Sequence, residues 1–231
     1  MTDNSKDEFI EIARIKEEFI ANASHELKTP IASVRLAAES ALTSLERDDG
    51  MTKSFLEQIL RDSDRMNELI SDLLDLSALE SSDVFMETFD LHDVIANEIS
   101  YLSKQNKKRI SYKKKKVKIN SNFDDISLAV KNLIKNALKY SPPEENILIQ
   151  IEENDKSVRC SFQDFGSGIS KSDQEKIFER FYRVDKGRSR KVGGTGLGLA
   201  IVKHALDRNN AVIEIVSELD YGSIFTIVFE K

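Results

Sequence analysis

The spacing of apolar residues changes near residue 80, and this change divides the chain into two parts that cannot fold alike. From Phe9 to Arg47, and again from Phe55 to Leu76, apolar side chains recur at three- and four-residue intervals, which predicts two amphipathic helices. Gly50 interrupts the pattern and predicts a turn, so the two helices form a hairpin. Pro30 lies inside the first helix, where its missing N–H predicts a bend.

A helical hairpin on its own buries too little apolar surface, because each helix offers apolar side chains to more than one neighbour. Pairing two hairpins into a four-helix bundle removes that exposure, so we expect a homodimer. Helical spacing is already present close to the first residue, and the chain is therefore expected to begin inside a longer helix.

The rest of the chain mixes short apolar runs, typical of strands, with helical spacing. The strand candidates are residues 85–89, 147–153, 157–165, 211–218 and 223–230, and the helix candidates are residues 91–103, 125–140 and 196–208. This mixture predicts an α/β sandwich with helices on one face of a mixed sheet, so the whole chain is of the α+β class. The last two strands, separated by LDYG, are expected to form a hairpin.

Charge is unevenly distributed along the sequence. The net charge of −6 gives no general reason to expect nucleic-acid binding. Residues 104–118, which read KQNKKRISYKKKKVK, are strongly basic. Such a run is either a solvated turn with an exposed strand edge, or a surface for anionic lipid or an acidic partner.

The sequence also indicates a compartment. Cys160 is the only cysteine, which excludes an intrachain disulfide and favours a reducing cytosol. No stretch approaches the roughly 18 apolar residues of a membrane span, and the N-terminus lacks a signal-peptide pattern. We therefore expect a cytoplasmic location, with any membrane attachment made by a sensor region absent from this chain.

His25 is expected on the solvent side of the first helix. At 100° per residue it points about 200° away from Ala23 and Leu27, which face the core. Imidazole is mostly neutral at pH 7 and then has a ring nitrogen free to attack an electrophile. Glu26 can hold the proton of the other ring nitrogen, and Thr29, one turn further on, shares the face of His25. Without such neighbours an exposed histidine is an ordinary surface residue.

Two segments of the second part are suited to a nucleotide. In NLIKNALKY, Asn132 and Asn136 are four residues apart on a predicted helix, so their side chains project together. Their amide oxygens suit a magnesium ion that bridges phosphates, although a polar helix stripe is the plain alternative. In DFGSGIS, Asp164 is an acceptor at a strand end, and Gly166 and Gly168 allow the backbone to approach a ligand.

A third segment, GGTGLGL, leads into a helix. Its glycines (Gly193, Gly194, Gly196 and Gly198) precede N-terminal amides that can bind phosphate oxygens. The segment differs from a Walker loop, because no GK[ST] follows. It also differs from a dinucleotide fingerprint, because no GxGxxG opens a first strand–helix unit.

Residues 171–192 lie between the second and third segments and are largely polar. They carry four arginines between Arg180 and Arg190, and an aromatic trio of Phe178, Phe181 and Tyr182. We interpret them as a lid over a nucleotide, in which the aromatic residues anchor the segment and the arginines neutralise triphosphate charge.

Five motifs, in this order, resemble those of the sensor histidine kinases of two-component systems. SHELKTP resembles their H box, and NLIKNALKY, DFGSGI, IFERFYRVD and GGTGLGLAI resemble the N, G1, F and G2 boxes of their ATPase domain. The resemblance covers about residues 18–231. It implies the end of a signalling helix at residues 1–17 and a HisKA-type dimerisation and histidine phosphotransfer domain at residues 18–82. A catalytic ATP-binding domain of the GHKL (Bergerat) type would follow at residues 83–231.

The resemblance further implies a histidine autokinase that binds ATP and Mg²⁺ and passes its phosphoryl group to an aspartate of a response regulator. His25 would be the phosphoacceptor, Glu26 its acid–base partner, and Thr29 the position that supports dephosphorylation of the regulator. Asn136, with Asn132, would be the magnesium site. The other ATP-binding positions would be Lys139, Tyr140, Asp164, Gly166, Gly168, Ile169, Phe178, Arg183, Gly194, Thr195, Gly196, Leu197 and Gly198.

Within that set, Asp164 would accept a hydrogen bond from the adenine amino group and Arg183 would reach the γ-phosphate. Lys139 and Tyr140 would lie near the phosphates and the base. The implied partners are the receiver domain of a response regulator and a second copy of the chain, with no nucleic acid.

Two other classes of protein share part of these features. One is a nonhydrolysing dimeric scaffold with a vestigial ATP site, which the intact Asn136, Asp164 and glycines disfavour. The other comprises gyrase, mismatch-repair and chaperone ATPases and anti-sigma serine kinases. They have the same ATP-binding fold but lack a helical hairpin with an exposed His-Glu pair.

The sequence departs from the resembled family after its last helix. Family members often have a His-Gly-Gly-like turn there, whereas this chain has Arg208, Asn209 and Asn210. Asparagine tolerates a left-handed backbone better than most residues, so the turn is expected to persist.

Overall fold

The computed structural model of the chain describes residues 3–47, 50–184 and 194–231. The chain divides into two compact units. The first contains Met1–Ser71 with Gly193–Thr195, and the second contains Asp72–Val192 with Gly196–Lys231. No helix within the three described ranges is long and apolar enough to cross a membrane.

The predicted helical pair is confirmed. Helix α1 spans Asp3–Arg47 and continues through Pro30, and helix α2 spans Thr52–Ser81, its last turns belonging to the second unit. Gly50 has a φ of +75°, a left-handed conformation that glycine adopts without strain, so the turn lies where the sequence predicted it. Residues 48 and 49 of the predicted turn lie outside the described ranges.

Side-chain hydrogen bonds fix the register of α1 against α2. Asp62 Oδ2 accepts from Ser33 Oγ at 2.6 Å and from Gln58 Nε2 at 2.8 Å. Nearer the turn, Thr52 Oγ1 donates to Ser44 Oγ at 3.0 Å. These bonds align two helices whose shared apolar contact is small.

The hairpin covers only part of its apolar surface. Ala37, Ala41 and Leu69 are buried, whereas large apolar side chains remain exposed on both helices. At 100° per residue most of these exposed side chains form one stripe on each helix, while Leu36 lies on another face of α1. The stripes consist of Ile20, Ile31, Leu42 and Leu45 on α1, and of Leu56, Leu60, Ile70 and Leu74 on α2.

The described part of the second unit contains seven strands: β1 (Glu87–Asp90), β2 (Ile110–Tyr112), β3 (Lys118–Ser121), β4 (Ile147–Glu153), β5 (Ser157–Asp164), β6 (Ala211–Glu218) and β7 (Gly222–Glu230). Five of them form a mixed sheet in the order β2-β4-β5-β7-β6, in which β2 and β4 are parallel and the other neighbours antiparallel. Strands β1 and β3 pair separately. The mixed sheet and the β6–β7 hairpin were both predicted.

The helices of this unit are α3 (Leu91–Ser100), α4 (Lys104–Lys108), α5 (Phe123–Tyr140) and α6 (Gly198–Arg208), with a 3₁₀ turn at Lys176–Phe178. Helix α5 packs against α3, α6 and β5, and α6 packs against β6. Along β5 every second side chain is buried, including Cys160 and Phe162. Burial raises the pKa of the Cys160 thiol, which makes it an inert core residue.

Three elements were missed, namely α4, β2 and β3, and all of them lie in or at the end of the basic run. Strand β2 has only three residues, too few to show an alternating pattern. It is nevertheless an edge strand of the sheet, as one interpretation of the lysines expected. Asn210 has a φ of +52°, which confirms the left-handed turn after α6.

Candidate functional site

The first unit presents His25 to solvent. His25 is exposed, as the helical spacing predicted. Thr29 Oγ1 donates to the His25 carbonyl oxygen at 3.3 Å, which places the two residues one turn apart on the same face. The Glu26 carboxylate accepts a hydrogen bond from Arg65 Nη2 on α2 at 3.1 Å. Arg65 was not singled out from the sequence, since a cation on a polar helix face gives no signal until its partner is known.

In the second unit, the two asparagines meet the beginning of α6. Asn132 is buried, and its Nδ2 donates to the Leu128 carbonyl at 2.9 Å, which fixes the direction of the side chain. A Cβ added at Gly198 would lie 3.0 Å from Asn132 Oδ1 and 3.9 Å from Asn136 Nδ2. The amide oxygen of Asn132 and the first turn of α6 are therefore adjacent, although their segments are about sixty residues apart in sequence.

Asp164 ends β5 and is only 5% exposed. Its Oδ1 accepts from the Gly166 N–H at 2.9 Å. Burial raises the pKa of this carboxyl, and hydrogen bonds from Gly166 and Ser223 counteract part of that effect. A buried acceptor with a raised pKa at the mouth of a strand is typical of a ligand-binding position.

The end of α5 lies against the segment that follows Asp164. Phe165 N–H donates to Ser141 Oγ at 3.1 Å, and a Cβ at Gly166 would lie 2.6 Å from the Tyr140 carbonyl oxygen. Tyr140 is half exposed, and the Lys139 ammonium lies 5.5 Å from the centre of its ring. The structure thus brings Lys139, Tyr140 and Asp164 together.

The glycines of DFGSG lie close to the protein's own backbone. At Gly168, where φ is +66°, an added Cβ would lie 1.9 Å from the carbonyl oxygen of Glu218. The next residue, Ile169, donates its N–H to Ser217 Oγ at 2.8 Å. Close approach of the Glu218 backbone therefore requires glycine at position 168, and the approach of a nucleotide to these glycines stays a prediction.

The aromatic segment contacts the glycine-rich segment. Phe181, at a φ of +64°, donates its N–H to the Gly196 carbonyl at 2.9 Å. Tyr182 Oη donates to Asp173 at 2.7 Å, and this bond raises the pKa of the Tyr182 hydroxyl. The pKa of the Asp173 carboxyl is lowered by the hydrogen bond from Ser170 and, after it, by the one from Tyr182. Phe178 ends the 3₁₀ turn, half-buried.

The remaining predicted ATP-binding positions lie in the aromatic and glycine-rich segments. Arg183 is half-buried beside Tyr182, Leu197 is fully buried, and Gly194 and Thr195 precede Gly196. Gly194 and Thr195 group with the first unit. Gly193 and residues 185–192 of the predicted lid, including two of its arginines, lie outside the described ranges.

The donor set of the second unit fits a magnesium nucleotide. It offers a buried acceptor, Asp164, for a base, and the N-terminal amides of α6 for phosphate oxygens. The Asn132 amide oxygen beside those amides suits a cation that also contacts phosphates and water. No cluster of three or more His, Cys, Asp or Glu side chains able to hold a metal occurs in the described ranges. A cation here would therefore depend on amide oxygens and on the nucleotide itself.

Two protein families match separate parts of the chain. Residues 15–82 match the HisKA family, described as His Kinase A (phospho-acceptor) domain. Residues 121–231 match the HATPase_c family, described as Histidine kinase-, DNA gyrase B-, and HSP90-like ATPase. The HisKA match covers most of the helical hairpin, and the HATPase_c match lies in the part that contains the mixed sheet.

Individual proteins match across both parts. The chain is 34% identical over 224 residues to the Sensor-like histidine kinase SenX3 of Mycolicibacterium smegmatis, covering 92% of this chain and 56% of that protein. It is 36% identical over 227 residues to the Phosphate regulon sensor protein PhoR of Pseudomonas aeruginosa, covering 95% of this chain and 51% of that protein. The chain thus spans about half the length of the relatives it matches.

Among solved structures, the histidine kinase ThkA in complex with the response regulator protein TrrA is similar to this chain with a TM-score of 0.74. The match covers 96% of this chain and 63% of that chain at 19% sequence identity, so it shows the fold. The fold, the two domain matches and the full-length relatives agree. The chain belongs to the sensor histidine kinases of two-component systems and contains their HisKA phosphoacceptor domain and their HATPase_c ATP-binding domain.

Proposed function

We propose that this chain phosphorylates its own His25 with ATP and then passes the phosphoryl group to an aspartate of a response regulator. The observation that carries the proposal is the pairing of a solvent-exposed histidine on α1 with a separate domain whose buried Asp164, Asn132 and α6 N-terminus suit a nucleotide. ATP supplies the phosphoryl group, and a ring nitrogen of His25 is the nucleophile that forms the new N–P bond. The bond between the γ-phosphorus and its bridging oxygen breaks, and ADP leaves.

The nucleotide-binding residues have separate tasks in this proposal. Asp164 accepts from the exocyclic amino group of adenine, and the amides at the beginning of α6 bind phosphate oxygens. Asn132 and Asn136 would hold Mg²⁺, which would supply charge neutralisation at the phosphates. Arg183 contributes further positive charge near the γ-phosphate. Positioning and charge neutralisation supply most of the rate of such a transfer. The remaining proposed contacts come from Lys139, Tyr140, Gly166, Gly168, Ile169, Phe178, Gly194, Thr195, Gly196, Leu197 and Gly198.

Near His25, Glu26 is proposed to take the proton that the attacking imidazole releases. Its hydrogen bond to Arg65 keeps the carboxylate in one place beside the histidine. Thr29 is proposed to orient the water that removes the phosphoryl group from the regulator when the protein acts as a phosphatase. Its position on the face of His25 supports this role.

We also propose that the working form is a homodimer in which two hairpins make a four-helix bundle. The exposed stripes on α1 and α2 support this arrangement, because monomeric soluble proteins rarely leave large contiguous apolar surfaces open. The receiver domain of a response regulator would dock near His25, and no nucleic-acid partner is proposed. This portion is proposed to work in the cytoplasm, with membrane attachment through a sensor region outside the chain.

The test is to incubate the purified chain with Mg²⁺ and ATP labelled at the γ-phosphorus. Acid-labile label is expected on the protein and is expected to be absent from His25→Gln. The matched control is His92→Gln, which changes a histidine on α3 whose Nδ1 lies 2.9 Å from Tyr112 Oη. Label that persists on His25→Gln would contradict the assignment. A phosphotransfer profile of the labelled protein against candidate receiver domains then tests the second step.

A further inference from the structure

A buried polar cluster lies at the C-terminal end of α6, at the place where Arg208, Asn209 and Asn210 replace the His-Gly-Gly-like turn. None of these three residues has a task in the proposed chemistry. They stand in the second unit, and so do all the residues they contact. The cluster connects the body of the ATP-binding domain to the segment that follows α2, residues 82–86, which we call the linker.

Asn209 is the centre of the cluster. It is 5% exposed, and its amide group makes four hydrogen bonds. Nδ2 donates to Asp125 Oδ2 at 2.9 Å and to the Ala205 carbonyl at 2.8 Å. Oδ1 accepts from Ser121 Oγ at 2.9 Å and from Asn122 N–H at 2.6 Å. Every donor and acceptor of the amide is used, so the side chain has one defined position.

Arg208 extends this cluster to the linker. Its Nε donates to Asp125 Oδ2 at 3.1 Å, the same oxygen that Asn209 binds. Its Nη2 donates to the Ser82 carbonyl at 3.0 Å and to Ser82 Oγ at 3.1 Å. Ser82 is the first residue after α2. One guanidinium group therefore joins α6, α5 and the end of α2.

A second bond holds the other end of the linker. Asn122 Nδ2 donates to the Phe85 carbonyl at 3.2 Å, while the backbone N–H of the same residue contacts Asn209. Between the two anchored residues, Ser82 and Phe85, only two residues remain. The linker therefore follows one path over the domain.

Helix α6 connects this linker contact to the candidate nucleotide site. It begins at Gly198, beside Asn132 Oδ1, and ends at Arg208. Its 11 residues span about 16 Å as a single rigid element. A residue that holds the linker against the last turn of α6 therefore also fixes the orientation of the whole helix relative to the end of α2. That orientation includes the first turn of α6, where phosphate is proposed to bind.

We propose that Arg208 is a positioning residue for phosphoryl transfer. By holding Ser82 on the last turn of α6, it limits the orientations that the ATP-binding domain can take at the end of α2. It contacts neither the nucleotide nor His25 and acts through the linker. The inference rests on the proposed function, because it is the transfer to His25 that needs a restricted orientation.

The chemistry of the Arg208 contacts allows a positioning role of this residue to be distinguished from a purely stabilising one. Arg208 and Asp125 are both largely buried, with side chains 13% and 6% exposed, so removing the cation leaves a buried carboxylate without its partner and destabilises the domain. Lysine preserves that charge. It cannot reproduce the planar fork that binds Asp125 through Nε and Ser82 through Nη2 at the same time. Arg208→Lys therefore keeps the ion pair and loses the linker contact.

The experiment compares the unsubstituted chain with Arg208→Lys and Ser82→Ala. For Arg208→Lys we expect the kcat of His25 phosphorylation to fall about tenfold, within the range that misplacement of reacting groups produces. The KM for ATP, the nucleotide dissociation constant and the melting temperature should stay unchanged. Ser82→Ala, which removes one of the two contacts to Nη2, should show the same pattern with a smaller fall. Amide hydrogen exchange at Ser82, whose N–H donates to the Ala78 carbonyl at 3.0 Å in the last turn of α2, should rise in both variants.

Lys203→Ala is the matched control. It removes an exposed ion pair with Asp207 on the same helix and touches no linker residue, so it should change none of these quantities. An unchanged or raised kcat in Arg208→Lys, with the linker demonstrably freed, would overturn the inference. A rise in the KM for ATP as large as the fall in kcat would also overturn the inference, because it would show that the substitution acts on nucleotide binding.

The design keeps the two hypotheses apart. Failure of the unsubstituted chain to label His25 would refute the proposed function. Failure of hydrogen exchange at Ser82 to respond to Arg208→Lys would refute the linker contact and leave the proposed function in place.

Discussion

The two units of this chain bury apolar surface in opposite ways. In the second unit the large side chains of the core, such as Ile147 and Ile201, have no exposed surface. In the first unit Leu42 and Leu60 are 63% and 65% exposed. The ATP-binding domain thus completes its core within one chain, whereas the hairpin does not.

The side chains proposed to take part in the chemistry also differ between the two units in their exposure to solvent. His25 is exposed on its helix, while Asp164 is buried at the end of a strand. An acceptor that must select one base gains from burial, because a wrong ligand leaves it unpaired. Under the proposed function, His25 must meet the ATP-binding domain and then a receiver domain, so it has to lie at the surface. On that proposal, the first unit depends on other domains for both stability and chemistry, and the second unit supplies nucleotide binding.

The largest expected effect concerns the exposed stripes. Leu42→Glu with Leu60→Glu places a charge on each stripe while keeping good helix formers at both positions. If the stripes pair in a homodimer, the dissociation constant should rise at least about a hundredfold, since each buried leucine contributes about 2 kcal/mol. Analytical ultracentrifugation measures the change, and nucleotide affinity should stay constant.

Leu36→Glu is the control for this experiment. Leu36 is as exposed as Leu60, at 65%, and it lies on α1. It is turned about 160° away from the stripe that contains Ile20, so its substitution should leave the dimer intact. Equal dissociation by Leu36→Glu, or a monomeric unsubstituted chain, would contradict the assignment of the stripes.

Two glycines test the packing difference between the units. Gly50 and Gly168 both have a positive φ, of +75° and +66°. A Cβ at Gly50 would meet nothing within 4 Å, whereas a Cβ at Gly168 would lie 1.9 Å from a carbonyl oxygen. Gly50→Ala should therefore cost about 1 kcal/mol of unfolding free energy, which is the backbone effect alone.

Gly168→Ala should cost about 3 kcal/mol or more, because the backbone of the Glu218 segment must also move. Urea unfolding of each variant, followed by circular dichroism, measures both values. Equal costs at the two positions would mean that the loop after Asp164 is not held against the β6–β7 hairpin.

Sequence reasoning was successful where one residue type carries its own signal. Helical spacing predicted α1 and α2, and short apolar runs predicted β4 and β5. The structure also confirms that Asp164 ends a strand and that Asn132 lies on a helix, while their roles as ligands stay predictions. These features depend on local periodicity or on side-chain chemistry, and both can be read along the chain.

The features that were missed depend on partners that are distant in sequence. The role of Arg65 depends on its hydrogen bond to Glu26, and the role of Arg208 depends on its hydrogen bond to Ser82, which is 126 residues away in sequence. Gly168 was singled out for approach to a ligand, and its contact with the Glu218 carbonyl was missed because that carbonyl approaches it only in the folded chain. Tertiary contacts of this kind leave no periodic trace, so a single sequence cannot show them.

A smaller effect is expected from Asp164→Asn. The substitution keeps the size of a buried side chain but replaces an acceptor oxygen by a donor, so the affinity for ATP should fall about tenfold to a hundredfold. GTP, which offers an oxygen where adenine has an amino group, should lose much less. Isothermal titration with both nucleotides measures the difference. Asp207→Asn, at an exposed position on α6, is the control and should alter neither affinity.

The smallest expected effect is on the pH dependence of stability, and it concerns the same buried carboxyl. Burial raises the pKa of Asp164 above its ordinary value of 3.8, so the folded domain binds this proton more tightly than the unfolded chain does. The stability that the group contributes is therefore fully present below pH 3.8 and is lost as the pH rises through the raised pKa. The unsubstituted chain should become less stable relative to Asp164→Asn over that interval. His25→Gln, which changes an exposed residue of the other unit, should not affect this difference. Urea unfolding at a series of pH values measures it. A difference that does not vary with pH would mean that Asp164 is solvated in the folded domain, and the contrast between the exposed histidine and the buried carboxyl would then be lost.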